Sequence, residues 1–137
     1  MSELDLAIDH LTLSVADLER ASAFYGAALE AIGLSLVGAV RAEQSGTVGY
    51  SGYGRGRKGC FWLAESGQQT PSTHVCFRAS SRAAVRAFHA AALAAGGRDN
   101  GAPGVRTDYH PAYYAAFVLD PEGHNIEAVT FEDEQPG

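Results

Sequence analysis

Ile8-Asp9-His10-Leu11-Thr12-Leu13-Ser14-Val15-Ala16-Asp17-Leu18 alternates, and then the alternation stops. From Ile8 to Val15 one face is polar (His10, Thr12, Ser14) and the other apolar (Leu11, Leu13, Val15). That is the pattern of a strand covered on one side only. At Asp17 the period changes to that of a helix, with Leu18, Ala21, Phe24, Tyr25, Ala28, Leu29 and Ile32 on its apolar face. Asp17 reads as the N-cap. Gly33 reads as the left-handed residue that ends the helix.

The same arrangement occurs a second time. Displacing the chain by 64 residues lays 10–33 on 74–97: His10 meets His74, Phe24 meets Phe88, Leu29 meets Leu93 and Gly33 meets Gly97. Self-similarity at a fixed spacing marks a duplicated structural unit. The second copy predicts a strand over 73–79, a cap at Ser80 or Ser81, a helix through Val85, Phe88, Ala92 and Leu93, and a stop at Gly96-Gly97. After the helices, strands are expected over 34–41, 47–53 and 59–65, then over 112–119 and 124–131. Asp120-Pro121-Glu122-Gly123 is the tight turn between the last two. The segment 98–111 is expected to be irregular, with at most a short strand. The fold class is therefore α+β: two βαβββ modules forming a curved mixed sheet around a cavity. One domain is expected over 1–137, with modules at about 7–66 and about 72–131 and a polar tail at 132–137.

Composition bounds the partners. Of 137 residues, 46% are hydrophobic and 19% charged, enough apolar material for a core. The net charge of −6 argues against nucleic acid, whose phosphates need a basic patch. No apolar run approaches the ~20 residues that span a bilayer, so no membrane helix is expected. The acidic start Met1-Ser2-Glu3-Leu4-Asp5 is unlike a signal peptide, and two cysteines, Cys60 and Cys76, make no disulfide framework. A cytoplasmic protein is expected.

Each helix must cover one face of its sheet. This takes Leu11, Leu13, Val15, Val75, Phe77 and Ala79 inward and leaves His10, Thr12, Ser14, His74, Cys76 and Arg78 on the other side. Ile126 and Ala128 read as helix-facing, which turns Glu127 to the side of the histidines. Two modules curving together would bring His10, His74 and Glu127 into one concavity. Two imidazoles and a carboxylate suit a divalent transition metal with open positions. The plainer reading is hydrogen-bonded strand histidines and a solvated carboxylate.

The opening run through Phe24-Tyr25 resembles the start of the vicinal oxygen chelate superfamily, and Asp120-Pro121-Glu122-Gly123-His124-Asn125-Ile126-Glu127 resembles its close. That superfamily holds glyoxalase I, type I extradiol dioxygenases, fosfomycin-resistance thiol transferases and bleomycin-resistance proteins. The resemblance runs from about Ala7 to Phe131. It implies His10, His74 and Glu127 as ligands of a divalent ion (Fe, Mn, Ni or Zn) that chelates vicinal oxygens of a small substrate, in dioxygenase-like or lyase/isomerase-like chemistry. Glyoxalase I has a further glutamate where Trp62 stands here, and Glu65 is an odd number of residues away, which argues against the ordinary glyoxalase reaction. Thr12 and Trp62 match the fosfomycin transferases, yet their tyrosine ten residues before the glutamate is Phe117. The alternative is a metal-free binding protein of the bleomycin-resistance type, with Trp62 and tyrosines as an aromatic clamp. Exposed strand edges call for cover, and the resemblance implies a homodimer, whose site either lies within one chain or, where modules are exchanged, sets His10 of one chain beside His74 and Glu127 of the other.

The cluster Tyr109, His110, Pro111, Tyr113, Tyr114 precedes the Glu127 strand. His110, Tyr113 and Tyr114 are its candidate acid–base groups, and Tyr109, with Thr12, Trp62 and Arg78, a candidate substrate contact. Gly54-Arg55-Gly56-Arg57-Lys58-Gly59 spells a dinucleotide-binding motif but precedes a strand rather than a helix, so it reads as a turn. His89 and His124 read as surface residues.

Overall fold

The computed structural model describes residues 7–41, 44, 48–66 and 69–134. The expected 1–5 terminus and the last three residues of the expected tail lie outside that range.

Alternation and periodicity become elements where the sequence changes period. β1 (Leu11–Val15) buries Leu13 and Val15 and leaves Thr12 exposed. Asp17 then caps α1 (Leu18–Glu30), its carboxylate accepting from the Arg20 N–H at 3.0 Å. Gly33, at φ 86°, turns the chain so that the Leu34 N–H reaches back to the Leu29 carbonyl at 2.9 Å. β2 (Ser35–Val40), β3 (Tyr50–Gly54) and β4 (Phe61–Glu65) complete the first module. β5 (His74–Arg78) leads to α2 (Arg82–Ala94), capped by Ser81, whose hydroxyl accepts from the Ala84 N–H at 3.1 Å. β6 (Arg98–Val105), β7 (Tyr114–Leu119) and β8 (Asn125–Thr130) follow.

Each module forms its own four-stranded mixed sheet, in the orders β1-β4-β3-β2 and β5-β8-β7-β6. The pairs β1/β4 and β5/β8 are parallel and the others antiparallel. A parallel pair needs a crossover, and α1 and α2 begin those crossovers. β1, which His10 directly precedes, and β5, which begins at His74, are sheet edges. The Gly54–Gly59 motif is the turn between β3 and β4.

One core joins both modules. Phe24, Tyr25, Leu29, Phe88 and Val85 are fully buried between the sheets, and the Phe61 and Phe77 rings, one from each module, meet at 5.2 Å. Burying each large apolar side chain contributes about 1.5–3 kcal/mol. A polar tie crosses the same boundary. The Tyr25 hydroxyl donates to buried Asp120 at 2.5 Å, while the other Asp120 oxygen accepts from the Glu122 and His124 N–H groups. The Glu122 carboxylate accepts from the Ala16 and Asp17 N–H groups, closing the second module's turn onto the first module's helix.

Three expectations change. The segment after α2 is an eight-residue strand, β6, broken by register shifts at Gly101 and before Gly104. Its glycines, proline and bulges hide the alternation. His124 is 1% exposed, not on the surface, because its ring folds back so that Nδ1 accepts from the Thr73 N–H. The His89 side chain is mostly covered too and pairs with Asp99 at 2.9 Å. Among the described residues no helix is long and apolar enough to cross a membrane.

Candidate functional site

Glu127 sits mid-strand in β8, directly between Cys76 on β5 and Phe117 on β7. It is 1% exposed, and a carboxylate so buried needs partners. His74 Nε2 lies 2.7 Å from its Oε1, and the Tyr113 hydroxyl donates to its Oε2 at 2.5 Å. Burial, reinforced by the Glu127 charge, pushes the Tyr113 hydroxyl above its ordinary range, so it stays a donor. The same two causes push the Cys76 thiol up to about 12. His74, Glu127, Tyr109, Tyr113 and Phe117 line a hollow of about 370 Å³.

A second hollow, of about 270 Å³, lies on the outer face of the first sheet and is lined by His10, Thr12, Tyr50 and Trp62. Thr12 and Trp62 are register partners across β1/β4 and share that face. Glu65 pairs with buried Val15 instead, and its carboxylate accepts from the Leu18 N–H at 3.0 Å, at the start of α1. His10 Nδ1 is held 2.6 Å from Asp9, which Lys58 holds in turn at 2.7 Å. A carboxylate on Nδ1 leaves Nε2 as the outward nitrogen, the arrangement that orients metal-ligating histidines.

The three expected ligands thus divide as two and one. His74 and Glu127 come together, and His10 faces the other hollow. Among the described residues no group of three or more His, Cys, Asp or Glu side chains could hold a metal ion. A wider hollow of about 750 Å³ is lined by Glu19, Ser22, Arg41, Ser51 and Glu65 among others, and its described lining residues include no histidine or cysteine.

The remaining expected residues separate by strand parity. Tyr113 shares the face of Phe117, but Tyr114 turns inward. It is 9% exposed, lies under α2 with Arg82 over its ring at 4.9 Å, and its hydroxyl accepts from Arg86. Tyr114 therefore does not line the hollow. His110 does not either, because its Nδ1 accepts from the Ala112 N–H and its ring packs edge-on against Phe131. Arg78 stacks its guanidinium over Phe131 at 5.1 Å, beyond the hollow's lining. Tyr109 lines the hollow while 68% exposed, its ring against Tyr113. Asp9 and Tyr50 were not singled out from sequence. Asp9 had a signal, since a carboxylate directly precedes His10. Tyr50 had none, because its place depends on the β3/β4 register.

Comparison with known proteins agrees with this architecture. The model of the glyoxalase/bleomycin resistance protein/dioxygenase superfamily matches residues 7–128. A glyoxalase/bleomycin resistance protein from Albidiferax ferrireducens is similar at 29% identity and a TM-score of 0.77, over 91% of this chain and 99% of that one. A family enzyme from Burkholderia phytofirmans superposes with a TM-score of 0.65 at 19% identity, covering 90% of this chain and 98% of its own. Glyoxalase I from Zea mays superposes with a TM-score of 0.67 at 18% identity, covering 93% of this chain but 45% of its own. No protein of curated function matches the sequence. With both modules, the paired crossovers and the family match in place, the chain belongs to the glyoxalase/bleomycin resistance protein/dioxygenase superfamily.

Proposed function

We propose that the protein is an enzyme acting on a small molecule with two vicinal oxygens, and that it does so through a divalent ion (Fe, Mn, Ni or Zn) bound by His74 and Glu127 of one chain and His10 of a second copy. The observation that carries this reading is the divided donor set: a buried carboxylate paired with an imidazole in one hollow, and a carboxylate-oriented imidazole in the other. Two donors of one chain fit such an ion, and the third must come from elsewhere. The strands that the two histidines open, β1 just after His10 and β5 at His74, are sheet edges, and Ile8 and Leu11 beside His10 are 76% and 40% exposed. A homodimer would cover them, and a two-fold axis would complete two equivalent sites.

When bound, the ion would act as a Lewis acid toward the substrate oxygens, in dioxygenase-like or lyase/isomerase-like chemistry. Tyr113 fixes the Glu127 carboxylate by holding a proton on its own oxygen toward Oε2, which leaves Oε1 to a second partner. Phe117 and Tyr109 line the hollow beside that carboxylate. Trp62 and Thr12 line the side that His10 occupies. Trp62 fills the place of a glyoxalase glutamate, and Glu65 is committed to α1, so the ordinary glyoxalase reaction lacks its base.

Metal analysis of untagged protein purified without added metal tests the reading. Near-stoichiometric metal that falls by orders of magnitude in His74→Ala and Glu127→Ala supports it. Unchanged occupancy in both variants contradicts it. The second reading, a metal-free binding protein, is favoured by the aromatic linings of both hollows, and folded wild-type protein that refuses metal would select it.

A further inference from the structure

Trp62 is the chain's single tryptophan, and the backbone beneath it is bare. A Cβ at Gly52 would stand 2.2 Å from indole Cζ3, and one at Gly59 would stand 2.4 Å from Cζ2. Carbon atoms in contact sit about 3.5–4.0 Å apart, so any larger residue at either position must displace the ring. The indole therefore lies flat across the sheet, one side spent on the two glycines. Tyr50 meets it at a 65° tilt with centroids 6.0 Å apart, so it does not stack on the ring. Trp62 is left half-buried, in the hollow shared with His10 and Thr12. Among the described lining residues there is no Lys or Arg; the imidazole is that of His10, held by Asp9, which Lys58 holds in turn.

We infer that Trp62 is a stacking floor for a planar aromatic group of the ligand, and that Gly52 and Gly59 determine specificity by holding it flat. The indole face is a broad apolar surface in the hollow, with the Tyr50 ring beside it. Flat rings gain from offset stacking beyond the area they bury, and puckered rings of similar size do not. A side chain at Gly52 or Gly59 would raise the indole into the space the ligand needs. The inference rests on the hollow belonging to the proposed site, and it requires no metal.

Catechol and cis-cyclohexane-1,2-diol, both neutral six-membered rings with vicinal oxygens, differ chiefly in flatness. Titrated by calorimetry into metal-free, untagged protein, catechol should bind about five-fold or more tightly than the diol. It should also move the single indole N–H resonance of Trp62 upfield. Trp62→Leu, Gly52→Ala and Gly59→Ala should each bring the two affinities within about two-fold. Should a glycine variant fail to fold, Trp62→Leu and the indole resonance still decide the matter. Equal affinities in the wild type, an unmoved indole resonance, no binding of either probe, or folded variants that keep the preference would each overturn the inference. Catechol preference in a protein that refuses metal would retain the floor and reject the metal reading. Full metal occupancy without catechol preference would do the reverse.

Discussion

Glu127 and Tyr25 each show how a buried polar atom constrains its neighbours. Both Glu127 oxygens are used, one by His74 and one by Tyr113. Tyr113→Phe strands the second oxygen in a buried position, where a lost partner costs about 1–3 kcal/mol. Urea denaturation should report that loss, whereas Tyr114→Phe, whose hydroxyl accepts from the partly exposed Arg86 at 3.3 Å, should cost less. The Tyr25 hydroxyl is raised well above its ordinary value of 10.0 by burial, then by the charge of Asp120. The unfolded chain therefore loses this proton first as pH rises. The stability it contributes is complete below pH 10 and declines above it. Tyr25→Phe should lower stability at neutral pH and flatten part of the alkaline decline, read from denaturation midpoints between pH 8 and 11.

At the scale of elements, the helix starts are separable from the site. Asp17→Ala and Ser81→Ala each remove a cap and should cost about 1 kcal/mol in denaturant unfolding without altering metal uptake. A fall in metal binding at equal folding would tie α1 or α2 to the site directly. Both helices and the histidine strands were legible because their periods are undiluted and each is written twice. β6 was not, since Gly101, Pro103 and Gly104 and two register shifts interrupt its pattern. Strand parity explains the tyrosines. Phe117 faces Glu127, so Tyr113 shares its side and Tyr114 cannot. That inference was available from sequence once β7 was paired with β8. The burial of His124 was not, because it depends on a contact with Thr73, 51 residues away in sequence.

At the scale of the molecule, each module has one histidine at the start of an edge strand, His10 just before β1 and His74 opening β5, and the structure sets those histidines in separate hollows. The alternation of the strands predicted which face each would occupy. It carried no information on how far apart two such faces would lie within one chain. A second copy resolves the division if His10 of one chain meets His74 and Glu127 of the other. Light scattering should then give twice the chain mass. Refolding an equal mixture of His10→Ala and Glu127→Ala chains probes the arrangement itself. Each variant alone should bind little metal. In the mixture half the molecules are heterodimers with one intact site each, so metal binding should recover to about one quarter of the wild-type level. Recovery no greater than that of the separate variants would contradict a site shared between chains.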